Sequence, residues 1–349
     1  MIRPDVAMPD VAMPDVAMTG VAVVVIGRNE GDRLDHCLRS VTGWRTVYVD
    51  SGSSDGSADR ARAAGAEVIE LDEADGFSAA RARNAGLARL LADPAVVHIQ
   101  LLDGDSRLEP GWLAAGMAAL AADPGLGAVF GRLREADADA SIYGWMCDLE
   151  WSVPAGPADA FGGNVLVRAA AARDTGFYRA TMIAGEDPDY ALRMRGKGWR
   201  IASLAVPMGW HASGMARFGQ WWRRAVRAGH AFAELAALHG AAEGHVYARS
   251  RARILFWGGA VPAAALAGLA LAVAADRRWL LLPLGMLLLV AVQVARVAAR
   301  ESPRHGPSRA VALALFLALG KYAEMIGLLR YHRDRGRGRP SRLIEHKAP

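Results

Sequence analysis

Residues 21–30 read Val21-Ala22-Val23-Val24-Val25-Ile26-Gly27-Arg28-Asn29-Glu30. An apolar, largely β-branched run closed by a glycine is too short for a buried helix, and its continuity marks a strand covered on both faces, as in a parallel sheet. A helical pattern follows, with Leu34, Cys37, Leu38 and Val41 recurring at helical spacing. The alternation continues with strands at 46–49, 67–71 and 96–102 and helices at 57–64 and 79–91. Such alternation predicts an α/β fold with helices on both faces of the sheet. Ligands of these sheets bind beyond the carboxyl ends of the strands. Those ends hold Arg28-Asn29-Glu30, Asp50-Ser51-Gly52-Ser53-Ser54-Asp55 and Asp103-Gly104-Asp105, more polar than turns alone require. From about 125 to 210 the pattern is mixed, with short strands at 128–131 and 163–168 and a helix near 189–196.

The flanks differ in kind. Before the first strand, Pro-Asp-Val-Ala-Met occurs three times, at 4–8, 9–13 and 14–18. A proline every five residues prevents a regular helix, so 1–19 is expected to be a disordered tail. It lacks the apolar segment of a signal peptide. After residue 253, positions 254–275 carry no charge, and 279–299 is interrupted only by Gln293 and Arg296. Both reach the roughly 20 residues a membrane span needs. They are expected to form a hairpin turning at Asp276-Arg277-Arg278. A third apolar run, 310–329, carries Lys321 and Glu324. If it spanned, the arginine-rich tail would lie across the membrane from Arg300, Arg304 and Arg309, against the positive-inside rule, so an in-plane or re-entrant helix is expected there. The resulting division is 1–19 tail, 20–235 catalytic domain, 236–253 linker, 254–330 membrane region and 331–349 basic tail.

Charge follows the same division. Residues 1–253 hold 27 basic and 31 acidic groups, whereas 254–349 hold 14 and 5, so the net charge of +5 comes from the apolar third. That pairing fits anionic lipid headgroups rather than nucleic acid. With 52% hydrophobic residues the chain is neither a disordered tail nor a disulfide-stapled miniature. Cys37 and Cys147 lack metal-ligand spacing and read as structural thiols.

Asp-x-Asp triplets occur at 103/105, 137/139 and 187/189, and only context separates them. Asp103 and Asp105 follow a buried strand, where hard divalent cations take oxygen ligands and bridge phosphates. A turn that merely caps the next element is the competing reading. Asp137 and Asp139 lie in an Ala/Asp-rich loop and read as solvated. The small residues of 50–57 allow close approach of a nucleotide. Neither GxGxxG nor GxxxxGKS is present, which argues against a dinucleotide oxidoreductase and a P-loop phosphotransferase. Arg83, near the start of a helix, can reach a pyrophosphate, although a solvated helix face would also explain it. In Gly185-Glu186-Asp187-Pro188-Asp189-Tyr190 one carboxylate is explained by helix capping, and two adjacent ones suggest a general base. His211 is either structural or a metal or phosphate contact. Residues 218–227, with Trp221, Trp222 and three arginines, read as an amphipathic helix on a membrane surface or packed on the domain.

In their joint order these motifs resemble the family-two inverting glycosyltransferases of the GT-A fold. The matching residues are Asn29-Glu30, Asp50-Ser51-Gly52-Ser53, Arg83-Asn84-x-Gly86, Asp103-Gly104-Asp105, Gly162-Gly163-Asn164 and Gly185-Glu186-Asp187-x-Asp189-Tyr190-x-x-Arg193. The resemblance covers roughly 20–235. It implies a GT-A-like, Rossmann-type mixed sheet and a metal-dependent, hexosyltransferase-type enzyme. The donor would be a nucleoside diphosphate-sugar and the acceptor lipid-linked or a polysaccharide, as in cell-envelope glycan synthesis. Ile26, Arg28, Glu30, Asp50, Ser51, Gly52, Arg83, Asn84, Asp103, Gly163, Asn164 and Glu186 would line the donor site, with Asp50 on the base. Asp103, Asp105 and His211 would hold Mg²⁺ or Mn²⁺, and Asp187 would deprotonate the acceptor. Arg28 departs from the aromatic residue common at its position. The C-terminal helices imply a multi-pass protein of the cell inner membrane with a cytoplasmic catalytic domain. Two other readings compete: a nucleotidyltransferase, and a membrane transporter with a nucleotide-sensing domain.

Overall fold

β1 (Val21–Gly27) is buried from Val21 to Ile26, as its unbroken apolar run requires. In the computed structural model, which describes residues 20–72, 76–240 and 245–338, β1 lies inside a mixed sheet. The repeats of 1–19 and the basic tail from 339 lie outside the described residues. β2 (Arg45–Asp50) and β4 (His98–Asp103) flank β1 in parallel, and β3 (Glu67–Glu70) continues beyond β2. The register sets Gly27 beside Asp50 and Ile26 beside Asp103, so the two acidic loops border the end of β1.

The crossovers are α1 (Asp32–Ser40), α2 (Ser57–Ala63) and α3 (Ala79–Leu91). Ser78 caps α3 by accepting from the Arg81 amide. A Cβ on Gly86 would meet Val24 Cγ1 at 2.3 Å, so α3 lies close enough to β1 that only glycine fits.

Beyond β4 the strand directions alternate. β8 (Val165–Arg168) runs antiparallel to β4, and β6 (Leu126–Glu135) antiparallel to β8. β9 (Arg200–His211) is parallel to β6 and carries β5 (Ser106–Leu108) and β7 (Gly156–Pro157), both antiparallel. The order is β3-β2-β1-β4-β8-β6-β9-β5. α4 (Trp112–Ala122), α5 (Ile142–Trp151), α6 (Ala169–Thr175) and α7 (Glu186–Gly196) complete this half. Inside the core the Trp112 indole N–H donates to the buried Gln100 side chain at 2.8 Å, so this pair satisfies its own polarity. Both cysteines are buried thiols.

α8 (Phe218–His239) leads through α9 (His245–Ile254) and a π-helical turn at Leu255–Ala260 to α10 (Val261–Ala274). The hairpin turns as expected, with Asp276 accepting from the Arg278 amide at 2.7 Å before α11 (Leu281–His305). α12 (Pro307–Gly336) follows. Tyr247–Ala274, Arg277–His305 and Pro307–Gly336 are each long and apolar enough to cross a membrane. Only 6% of the second helix's apolar stretch is buried by the protein itself, so its leucines require an apolar environment from elsewhere.

Two expectations change. Of the two forms expected for the third apolar run only the unbroken one remains, since α12 is continuous over 307–336. The helix expected over 218–227 continues to His239, past the expected domain limit at 235, and packs along α12. A Cβ on Gly229 would lie 1.9 Å from the Glu324 carbonyl oxygen and one on Gly327 1.9 Å from that of Val226, so the two backbones meet directly. α5 makes a second junction: Tyr143 meets Phe316 edge-on, and Trp145 meets His305.

Candidate active site

The first wall of the crevice is the turn after β2. Asp50 is buried, accepting from the Tyr48 hydroxyl at 3.0 Å and the Ser53 amide at 2.7 Å. Burial first, and then the neighbouring Asp50 carboxylate, push the Tyr48 hydroxyl's pKa up, so Tyr48 stays a donor. A carboxylate has about four acceptor positions, so Asp50 keeps capacity for a further donor. Asn29 adopts φ 55, and the strain is offset where its amide donates to Ser53 Oγ and its side-chain oxygen accepts from the Ser54 amide. The Ser51 amide donates to the Gly27 carbonyl, tying this loop to the end of β1 where Ile26 sits. Arg28 stands over the Phe77 ring at 5.1 Å, and the same ring covers Gly52, where a Cβ would be 2.4 Å from it. Glu30 is buried and 3.2 Å from Arg33.

Arg83 is the centre of the second wall. Although buried, it lies 2.8 Å from Asp103, 3.1 Å from Glu186 and 3.2 Å from Asp187. Burial opposes its charge, and Asp187 and Asp103 more than offset that, so the guanidinium stays ionised. Gly163 is glycine for a visible reason: a Cβ there would stand 2.3 Å from Arg83 Nη2 and 2.4 Å from Asp103 Oδ2. Asn164 accepts from the Asp103 amide at 2.9 Å and donates to Ser106 Oγ, which fixes the backbone of the Asp-Gly-Asp turn. Asn84 instead braces α3 against the loop at Tyr178, both ends of its amide being bonded to the Tyr178 backbone.

Asp105 faces elsewhere. Its Oδ2 is 3.4 Å from His211 Nε2, while His211 Nδ1 is 3.1 Å from Glu135 and Glu135 also accepts from the Ser213 amide. The three expected metal ligands are therefore not gathered at one point: Asp105 and His211 meet, and Asp103 is held by Arg83. Among the described residues no three His, Cys, Asp or Glu side chains form a complete cage. A hard cation bridging a diphosphate needs only one or two protein ligands, the rest coming from phosphate and water. An imidazole whose other nitrogen is fixed by a carboxylate is the usual arrangement of a metal-binding histidine. Glu135 stands at that second nitrogen of His211.

The third wall is the first turn of α7. Asp189, fully buried, contacts Arg179, Arg193 and His239, each at 2.9 Å. Burial alone would raise the Glu186 pKa, but Arg227 and Arg83 outweigh it and hold the carboxyl below its ordinary range. Asp187 goes the other way: burial, reinforced by Glu186 and Asp103 against Arg83, pushes it up to about 8. Its Oδ1 is near Arg83 yet makes no hydrogen bond among the described residues.

Residues 22–154 match the family model described as Glycosyl transferase family 2. The chain carries a family 2 glycosyltransferase domain. Its fold is shared with the mannosyltransferase PcManGT of Pyrobaculum calidifontis, solved in complex with GDP-Man and Mn²⁺, at 18% identity and TM-score 0.61, over 93% of this chain and 90% of that one. Other matches are S. aureus TarS 1-349, at 14% identity, TM-score 0.47 and coverage of 92% and 93%, and glucosyl-3-phosphoglycerate synthase from Mycobacterium tuberculosis in complex with Mn²⁺, UDP and glucosyl-3-phosphoglycerate, at 15%, 0.47, and 63% and 79%. No curated protein matches the chain in sequence. This glycosyltransferase moves a sugar from a nucleotide-sugar donor. Three residues of its crevice carried no sequence signal. Glu135 reaches His211 only through the β6–β9 pairing. Tyr178, stacked on Tyr190 at 4.1 Å and 5.7 Å from the Arg83 guanidinium, lies in a loop of unremarkable composition. Phe77 is simply an apolar residue before a helix.

Proposed function

We propose that this glycosyltransferase acts by a metal-dependent, inverting single displacement at the inner membrane, with a lipid-linked or polysaccharide acceptor in envelope glycan synthesis. Asp50 accepts hydrogen bonds from the nucleobase, and the Arg28–Phe77 pair beside it supplies a planar surface for the base. Arg83 neutralises charge on the diphosphate once donor oxygens compete with Asp103 and Glu186 for it. A divalent cation on Asp105 and His211, with Asp103 alongside, would stabilise the leaving diphosphate. Asp187 takes the proton of the acceptor hydroxyl as it attacks the anomeric carbon from the opposite face. One observation carries the base assignment: of the three acids in 186–189, Asp187 alone lacks a hydrogen bond among the described residues, while Glu186 is bonded to Arg83 and Asp189 to Arg179, Arg193 and His239.

The catalytic domain is assigned to the cytoplasm, because Arg249, Arg251 and Arg253 precede the first apolar helix and Arg300, Arg304 and Arg309 follow the second. The test of the reaction is a donor screen by calorimetry and hydrolysis, starting with GDP-mannose and UDP-glucose, with and without Mn²⁺. Metal-dependent binding of one nucleotide-sugar is expected. Release of pyrophosphate with formation of a new sugar nucleotide would replace this reading with a nucleotidyltransferase.

A further inference from the structure

A cleft of about 370 Å³ opens between the apolar helices, lined by Arg253 at the end of α9, Arg300 near the end of α11 and Lys321 within α12. Between these cations it is lined by Gln293, Tyr322 and Trp257, and the rest of its wall is valine, alanine and leucine. Lys321 is paired with Glu324 at 2.6 Å and Arg300 with Glu301 at 2.8 Å, yet neither glutamate lines the cleft. Arg253 has no ion-pair partner among the described residues. The lining thus presents three cations and no carboxylate.

The cleft is not the acceptor end of the active site. α8, which joins α12 to the catalytic domain, meets α12 at Phe316, Gly320, Glu324 and Gly327. The cleft uses Ala314, Leu317, Ala318 and Lys321, roughly 115° around the same helix axis at 3.6 residues per turn. Its depth is set by the chain: Arg253 borders the first apolar stretch and Arg300 ends the second, so both guanidinium groups lie at the same membrane boundary. Cations at that level over an apolar wall complement one class of molecule, an anionic lipid whose phosphate meets the charges and whose chains lie along the wall.

We propose that the cleft between α9, α11 and α12 binds the phosphate of an anionic membrane lipid, at a site separate from the catalytic crevice. Occupancy would tie α12, and through α8 the catalytic domain, to the bilayer.

The test uses the full chain in phosphatidylcholine nanodiscs containing a minor fraction of photoactivatable phosphatidic acid. In the unaltered enzyme, cross-links should concentrate in 290–300 and 314–322, and labels spread evenly over all lipid-facing residues would overturn the proposal. Removing charge by Arg253→Gln or Lys321→Gln should lower labelling about 5-fold each, since a basic residue near the surface contributes on the order of 1 kcal/mol. Arg253→Lys should retain labelling, and Arg277→Gln at the hairpin turn should not change it. Nucleotide-sugar affinity measured alongside reports that each variant is folded. Equal labelling by a phosphatidylcholine probe, or full protection by inorganic phosphate, would exclude an anionic lipid. Chain-to-chain cross-links through the cleft in place of lipid adducts would assign it to a second copy.

Discussion

The loop after β4 and the first turn of α7 each carry an Asp-x-Asp triplet, and the two divide their carboxylates in opposite senses. At 103–105 the first aspartate pairs with Arg83 and the second faces His211. At 187–189 the second aspartate is fully buried and bound by Arg179, Arg193 and His239, while the first makes no hydrogen bond among the described residues and has a raised pKa. The third triplet, at 137/139, is solvated as expected: Asp139 is 92% exposed and among the described residues pairs with Arg309 alone. Identical spacing thus yields a pair facing Arg83 and His211, an unbonded carboxylate beside a clamped one, and a surface loop. Burial and the partner each carboxylate meets separate the three.

The contrast can be broken at its extremes. Asp105→Ala should bring transfer below detection and remove the Mn²⁺ dependence of nucleotide affinity measured by calorimetry; equal affinity with and without the substitution would end its role. Asp187→Asn should lower kcat by about 10² to 10⁴-fold with donor affinity nearly intact, because a general base acts on the acceptor. Since Asn still caps a helix, near-normal turnover would leave Asp187 a capping residue only. Asp189→Asn should act on folding instead, costing about 3 kcal/mol in a denaturant titration, since it leaves the surrounding cations undercompensated. A loss of turnover with unchanged stability would place the base at 189.

A gentler probe is pH. With Asp187 pushed up to about 8, a base at this position is largely protonated at neutrality, so kcat/KM for the acceptor should rise with pH through that value. A profile already flat below pH 7 would contradict the raised carboxyl. At the small end, Asp139→Ala should leave transfer and donor affinity unchanged, because its partner, Arg309, is an exposed arginine.

The sequence by itself determined the sheet's parallel half, since a strand buried on both faces must be apolar throughout and its ligand loop must not be. It also determined the apolar helices, because a membrane span needs length and hydropathy, which are local properties. The sheet's second half was legible only as mixed, because β6, β8 and β9 pair across distances that no periodicity records. Tertiary structure alone decided that Glu135 reaches His211, that Asn84 is a brace, that Asp103 turns to Arg83, and that α8 packs on α12 through Gly229 and Gly327. The physical reason is common to all four: a side chain's role at this site depends on which charge or backbone faces it, and those partners come from distant segments that only the packed sheet brings together.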